Sequence, residues 1–419
     1  MFALVREVPD FRRLWLAQVV SQGGDWLNHI ALLVLIGRLG GERAAAGVGF
    51  LFGLEIVLRM LPTTFMGPIA GGVADRFPRR TLMIGADLVR ACVVLGFLLV
   101  RDADDLWLLY TLSVAQMSVA LFFDASRSAS TAQSVPRADL QTAHALTAVT
   151  WSSMLAIGAF LGGTLVEAIG TDGVFVLDSL TYLISIAFLR KLTVGRIPAS
   201  IDVWRWGEVL RFKDMAQGWR HARERGVQTF VLAKAAWGGA GGYLVVLAIA
   251  GRHYEEAGLG AGLATGLLFA ARGIGTGIGP VFARRVFPGD ENSLRWQIAA
   301  GFGIGAAGYA LFGAATSFPI AVLGIGLAHT GGSNLWVTSS VLWQRTVDDA
   351  YRGRVYALEV FAMTLAFSTS ALATGLFYDH VGRLDLTTWV VSAFVVVAGV
   401  VWTLIDRHRL RRMARTRTT

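Results

Sequence analysis

The chain has 419 residues, of which 54% are hydrophobic and only 16% charged, with 49 glycines and 9 prolines. A soluble protein of this length could not cover its surface with so few charges, since about a quarter of a typical soluble domain is charged. The single cysteine, Cys92, excludes an internal disulfide framework. What remains is a polytopic membrane protein whose net charge of +9 needs an explanation.

A bilayer core takes about 20 consecutive, mostly apolar residues per helix. Twelve such windows follow one another, near 14–37, 46–70, 81–100, 106–123, 144–166, 174–190, 228–250, 260–283, 297–316, 318–341, 355–378 and 387–405. No secretory signal is read in Met1–Arg13, which lacks a short apolar core with a cleavage site. The connections are short except at 191–226. That stretch holds Pro198 and an amphipathic run from Phe212 to Arg225, read as a helix on the membrane surface. The expected organisation is an N-terminal six-helix bundle at 1–190, a cytoplasmic linker at 191–226, a C-terminal six-helix bundle at 227–406 and a basic cytoplasmic tail at 407–419.

Twenty-nine of the 38 Lys and Arg residues fall on the side of the two termini, and five fall on the opposite side. The other four, Arg59, Arg90, Lys234 and Arg272, lie inside spans. The positive-inside rule then puts both termini in the cytoplasm. The +9 is a topology signal, so no nucleic acid is needed to account for it. Membrane lipids are expected partners of the arginine-rich tail.

Three clusters of residues match at one fixed offset of 212. Gly67-Pro68 answers Gly279-Pro280. Val135, Ala138, Ala145 and Leu146 answer Val347, Ala350, Ala357 and Leu358. Gly163, Glu167, Ile169 and Gly170 answer Gly375, Asp379, Val381 and Gly382. The expected fold is an all-α polytopic membrane protein, with twelve transmembrane helices in two pseudo-symmetric six-helix bundles flanking a cavity. A Walker loop, an H-E-x-x-H pair, a cysteine cluster and a G-x-S-x-G elbow are all absent from the sequence. The chain reads as no enzyme, with no cofactor and no metal. Uphill work would draw on an ion gradient, most simply of protons.

Gly71-Gly-Val-Ala-Asp75-Arg76-Phe-Pro-Arg79-Arg80, between spans 2 and 3, resembles the signature loop of the major facilitator superfamily, G-x-x-x-D-R-x-G-R-R. Pro78 stands where the second glycine is usual. Further phrases resemble the bacterial enterobactin-exporter-like and macrolide-efflux-like branch. They are Phe11-Arg-Arg-Leu-Trp15, Gly24-Asp25-Trp26, Asp87-Leu-Val-Arg90-Ala91, Phe123-Asp124-Ala-Ser-Arg127-Ser, Leu177-Asp178-Ser-Leu, Ala270-Ala-Arg272-Gly and Arg352-Gly-Arg354-Val. The resemblance covers nearly the whole chain. It implies a monomer in the inner (plasma) membrane that exports an amphipathic small molecule, such as a drug, macrolide or siderophore, against protons by alternating access. A metabolite importer or a lipid translocator is the alternative. Two features depart from drug/proton antiporters. Gly158-Ala159-Phe-Leu-Gly162-Gly163 lacks their proline, and span 4 offers Gln116 where they carry a membrane-embedded arginine.

In the resembling family the loop aspartate contacts the start of span 11. One of the loop's basic residues pairs with an acid at the cytoplasmic end of span 4, here Asp124. Gly71, Asp75, Arg76, Arg79, Arg80 and Asp124 are thereby expected to latch the cytoplasmic side, with Glu359 in the same gate. The alternative is that the arginines only hold topology. Gly71 and Gly72 would let another backbone approach closely.

An ionisable side chain inside a span costs roughly 2.5–3.5 kcal/mol on insertion scales, so each needs a reason. Gln18, Ser21, Asp25 and Asn28 step by 3, 4 and 3, which makes one polar stripe expected to face water. Asp25, with Asn28 beside it, is the leading protonatable or cation-recognising group, a structural hydrogen bond being the alternative. Glu55 and Arg59, four apart, can pair on span 2, as part of the cavity or as a self-neutralised structural element. Arg272 would compensate a carboxylate or contact an anionic substrate. Lys234 precedes Trp237-Gly-Gly-Ala-Gly-Gly242, where a helix bends or packs closely. His329, Ser333, Trp336 and Ser340 share a face of span 10, with His329 as a proton-accepting ring or a structural one and Trp336 as aromatic wall. Asp87, Arg90 and Asp178 lie on spans 3 and 6, outer supports in the family, and are expected to form structural ion pairs.

Overall fold

The computed structural model describes residues 2–42, 47–195, 212–256, 258–286 and 289–417. Residues 196–211 of the expected linker lie outside the described residues. In chain order the helices are α1 (Phe2–Glu7), α2 (Pro9–Glu42), α3 (Val48–Arg76), α4 (Arg79–Gly96), α5 (Leu106–Ser134), α6 (Leu140–Leu189), α7 (Phe212–Glu224), α8 (Gln228–Val231), α9 (Ala233–Gly238), α10 (Tyr243–Glu256), α11 (Ala261–Val286), α12 (Glu291–Gly313), α13 (Phe318–Thr346), α14 (Asp349–Val381) and α15 (Leu384–Arg417). No strand occurs among the described residues.

Among the described residues, ten helical segments are long and apolar enough to cross a membrane, so this is a multi-pass integral membrane protein. All-helical spans are expected, because lipid offers no partner to a free backbone N–H or C=O. Two of the windows read from the sequence, 144–166 and 174–190, share α6, which breaks at Gly170 (φ 72°, ψ 172°). The window at 297–316 falls in α12, a glycine-rich helix that is not among the ten. Its N-terminus is capped by Asp290, which accepts from the Ser293 amide at 3.2 Å. Hydrogen bonds from the Ser293 side chain and amide hold the Asp290 carboxyl below its usual range.

The chain forms two compact units, Met1–Leu210 with Ala248–Ala270, and Arg211–Leu247 with Ala271–Thr419. In the first, α2 runs parallel to the first arm of α6. Trp15 reaches Thr150, and Gly158 and Gly162 lie against Trp26 and Leu27. The second arm is antiparallel to α2, since Asp25 meets Tyr182 while Asn28 meets Asp178. The chain therefore reverses at Gly170. In the second unit, α8 and α9 run parallel to α14, through Lys234–Glu359 and Gly238–Phe367. They run antiparallel to α15, through Thr229–Trp402 and Gly239–Phe394. The reversal there follows Gly382, at φ 68°. Gly170 and Gly382 are repeat equivalents, and both adopt the left-handed backbone that favours glycine. The pseudo-symmetry read from the offset of 212 is thus present in the helix arrangement.

The seventh predicted span is divided into α8, α9 and α10: the first break falls at Leu232, and the glycine run after Trp237 separates α9 from α10. A Cβ at Gly241 would lie 2.7 Å from the Gly238 carbonyl oxygen and 2.8 Å from Phe367 Cα, so the bend depends on bare backbone. Helix α7, the amphipathic run, packs on the first turns of α14. Its Gly218 abuts the Arg354 backbone, His221 stacks on Tyr351 at 4.1 Å and Arg225 pairs with Asp348 at 2.5 Å.

Small residues set the helix spacing, because lipid supplies no hydrophobic drive between spans and close packing must replace it. On α12 and α13, a Cβ at Gly324 would stand 2.7 Å from the Phe312 amide nitrogen, and one at Gly308 would stand closer still to the Ala328 amide nitrogen. Gly308→Ala is expected to destabilise the fold by about 1–3 kcal/mol, the usual cost of overpacking. Thermal melting of the purified protein in detergent checks this, and an unchanged midpoint would contradict the packing account.

Candidate functional site

The densest polar cluster lies in the first unit and draws on four helices. Asp25 and Asn28 come from α2, Asp87 and Arg90 from α4, Gln116 from α5, and Asp178 and Tyr182 from α6. Arg90 ion-pairs with Asp87 on its own helix and reaches Asp25 Oδ2 at 3.5 Å. The Tyr182 hydroxyl donates to Asp25 Oδ1 at 2.5 Å and itself accepts from Gln116 Nε2 at 3.0 Å. Asn28 Nδ2 donates to Asp178 Oδ2 at 2.8 Å, and the Thr181 hydroxyl reaches Asp178 Oδ1 at 3.2 Å. The Arg90 guanidinium is sandwiched by the rings of Tyr182 and Phe123, at 4.4 and 4.7 Å. Gly24 leaves the room that Asp178 and Thr181 occupy, since a Cβ would collide with both side chains.

This geometry corrects two expectations. The stripe Gln18, Ser21, Asp25, Asn28 does not face water as a whole. Gln18, Ser21 and Asn28 are buried, with Gln18 accepting from Arg127 at 2.9 Å. Asp25 alone of the four keeps an open side, its side chain 28% exposed. The reason is that polar side chains on neighbouring spans face the same stripe. Asp87 and Arg90 do pair with each other, as expected. Arg90 also extends to Asp25, while Asp178 is held by an amide and a hydroxyl, so spans 3 and 6 enter the site. Tyr182 was not singled out by the sequence reading. Its spacing of four from Asp178 in an apolar span was the available signal.

Glu55 is fully buried, and its nearest cation is Arg59 at 3.9 Å, one turn on. The Tyr110 hydroxyl, one helix away, donates to the Leu51 carbonyl at 3.0 Å instead. In the signature loop Arg79 donates to Asp75 at 3.0 Å and to the Ala74 carbonyl at 2.9 Å, and Arg76 donates to the Gly72 carbonyl at 3.1 Å. Arg80 bonds the Arg190 carbonyl through its side chain and the Gly195 carbonyl through its amide, the latter at 2.9 Å. Asp124 pairs with Arg127 on its own helix at 3.2 Å, which corrects the expected pairing with the loop. The i,i+3 spacing on one helix brings Arg127 to it. The close approach expected at Gly71 is also absent, since a Cβ there would meet nothing within 4 Å.

In the second unit Lys234 and Glu359, expected in separate places, form one buried pair at 3.0 Å. Ser340 accepts from Lys234 at 2.6 Å, Trp343 donates to Glu359 at 2.9 Å, and the ammonium lies 4.8 Å over the Trp336 ring. His329 is buried in an aromatic cage, with Tyr243, Tyr309 and Trp237 around it and the Tyr309 hydroxyl at 3.3 Å. Arg272 stands 5.6 Å over the Tyr243 ring. No group able to hold a metal ion was found among the described residues.

Apolar helices related by a repeat, with charged side chains paired inside them, define a polytopic membrane protein. Residues 14–288 match the model of the Major Facilitator Superfamily, and the chain belongs to that family. It is similar to the "Uncharacterized MFS-type transporter Rv0037c" of Mycobacterium tuberculosis, at 28% identity over 96% of this chain and 93% of that protein. It is also similar to the "Putative bacilysin exporter BacE" of Bacillus subtilis strain 168, at 24% identity over 45% of this chain and 46% of that one. Among solved structures, the nucleoside transporter NupG superposes with a TM-score of 0.74 at 11% identity, over 94% of this chain and 98% of that one. A bacterial homologue of the lysosomal transporter Spinster superposes with a TM-score of 0.72 at 13% identity, over 96% and 98%. The family makes this protein a secondary transporter and not an enzyme.

Removing one member of a buried pair leaves an uncompensated charge. Glu359→Ala is therefore expected to destabilise the protein by about 3–5 kcal/mol, and the double change Lys234→Met with Glu359→Leu to recover most of that loss. Melting of both variants in detergent tests this. A single-variant loss below about 1 kcal/mol would mean the pair behaves like an exposed surface salt bridge.

Proposed function

We propose that this superfamily member is a proton-coupled exporter of an amphipathic small molecule, of the drug, macrolide or siderophore type. It works by alternating access between two bundles of six spans each, twelve crossings in all. The halves of α6 count as two crossings, and α12 counts as one. The chain sits in the inner membrane with both termini cytoplasmic.

The observation that carries the coupling is a charge count. One guanidinium, Arg90, stands among three carboxylates, Asp25, Asp87 and Asp178, all on membrane spans. Excess negative charge inside a low-dielectric bundle is expensive, and a proton or a cationic substrate relieves it. Asp25 is the member with an open side, so it is the site where a proton or cation arrives. When Asp25 is neutral, Arg90 belongs to Asp87 alone. When Asp25 is ionised, the guanidinium is shared. Proton occupancy thus changes which helices Arg90 holds together, α4 alone or α4 with α2. The export direction is supported by the resemblance to the exporter branch and by the likeness to the bacilysin exporter named above.

The test is pH-driven flux in proteoliposomes carrying the wild type or Asp25→Asn. The variant is expected to lose at least about tenfold in gradient-driven flux, ~1.4 kcal/mol in the transport barrier, while still exchanging substrate across equal pH. Unchanged gradient-driven flux would remove Asp25 from coupling. Accumulation inside right-side-out vesicles would overturn export. Asp75→Asn, which removes the negative charge opposite Arg79 in the signature loop, is expected to insert normally and lose most transport. Wild-type flux in that variant would reduce the loop to a topology signal.

A further inference from the structure

A groove on the membrane-facing side of the second unit runs between α12 and α15. Its mouth is a cavity of about 200 Å³ at the end of α15 nearest the C-terminus, with Asn292, Arg295, Trp296 and Arg407 on its walls. The mouth shares Ala299 and Thr403 with a second cavity of about 280 Å³ deeper along the same two helices. The deeper part is apolar, floored by Gly303 and Ala306 of α12 and walled by Val396, Val400 and Leu404 of α15. Gly303 is the reason the groove is open, since a Cβ there would meet nothing within 4 Å. The glycine is therefore not needed for helix packing, unlike Gly399, whose Cβ would stand 2.6 Å from Phe302 Cβ.

The charges at the mouth are unequally spent. Arg295 is used up internally, bridging Asp406 and Glu291 and lying 4.5 Å over the Phe230 ring. Arg295 is shared between the two acids, and Arg409 supplies the second positive charge beside them. Arg407 is different. It is exposed, forms no ion pair among the described residues, and is held 4.9 Å over the Trp296 indole. A guanidinium stacked on an indole keeps its N–H edge free for an oxyanion. Trp296 is itself 57% exposed, as an interfacial anchor would be. The site thus pairs a fixed, unspent positive charge at headgroup level with an acyl-sized apolar channel leading into the bilayer. It lies on the face where the proposed topology puts the termini, and cytoplasmic leaflets carry anionic lipid.

We propose that this groove is a binding site for one anionic phospholipid, with the phosphate on Arg407 and the Asn292 amide and one acyl chain along Gly303. The inference is independent of the transported substrate. It differs from diffuse attraction by the basic tail, because it requires one residue in the membrane and one at its edge.

The test is native mass spectrometry of the full chain released from detergent, with phosphatidylglycerol, phosphatidylcholine or inorganic phosphate added. The expected result is one retained phosphatidylglycerol per chain, with phosphatidylcholine retained at least about tenfold less and inorganic phosphate not at all. Arg407→Gln and Gly303→Leu are each expected to lose that lipid, the first by its charge and the second by filling the channel. Arg284→Gln, an exposed arginine at the end of α11, is the control and is expected to retain it. Because Arg407 is exposed, its variant should fold even if Gly303→Leu does not. Four results would overturn the proposal: equal retention of the neutral lipid, binding of inorganic phosphate, a loss with Arg284→Gln as large as with Arg407→Gln, or a second copy of the chain in place of lipid.

Discussion

Arg90 has one charge and two carboxylates within its reach, and the interior of the first unit is arranged around that shortage. Its guanidinium is clamped between two aromatic rings and committed to Asp87, so only the remaining edge is left for Asp25. Asp178 is then served by the Asn28 amide and the Thr181 hydroxyl rather than by a cation. Hydrogen bonds of that kind orient a carboxylate without cancelling its charge. The bareness of Gly24, the buried face of α2 and the placement of Tyr182 all follow from keeping these groups in contact.

The second unit does not repeat this solution. At the offset of 212, the positions of Asp25, Arg90 and Tyr182 are filled by Trp237, Phe302 and Phe394. Trp237 and Phe302 touch, at 6.4 Å between ring centroids, and Phe394 abuts Gly239 beside them. The backbone arrangement is shared, but one copy holds an ionic cluster and the other an aromatic one. The charges of the second unit sit elsewhere, in the Lys234–Glu359 pair sealed by Trp343. Dispersion among rings offers no place for a proton, whereas a cluster of carboxylates short of cations does. The proposed coupling is thus assigned to one half of a duplicated frame.

Much of the frame was legible because lipid makes it so. Apolar run length follows from the lipid's thickness and from satisfying backbone polar groups within helices, glycine placement follows from close helix packing, and the 212 offset is an internal repeat. Gly170 and Gly382 were visible as a repeat, though their left-handed backbone was not. The candidate site was legible residue by residue but not in its partnerships. Periodicity places Asp25 and Asn28 on one face, yet cannot say what faces them. The same limit put Lys234 and Glu359 in different places, while the family resemblance gave Asp124 to the signature loop rather than to Arg127. Ionisable residues inside spans are few, and the useful signal was that each needs a partner. Choosing the partner takes the three-dimensional path of the chain.

Gly170 also bears on how the protein is made. A single left-handed residue separates the two arms of α6, so the turn between them spends almost no polar chain. In the proposed topology, inserting the two arms together as one helical hairpin would move little more than Glu167, Asp172 and a few small residues to the far side of the bilayer. If the arms enter as one hairpin, those 50 residues would be one piece of cargo for biogenesis, and the loop that would normally accept an inserted tag or a protease is missing there.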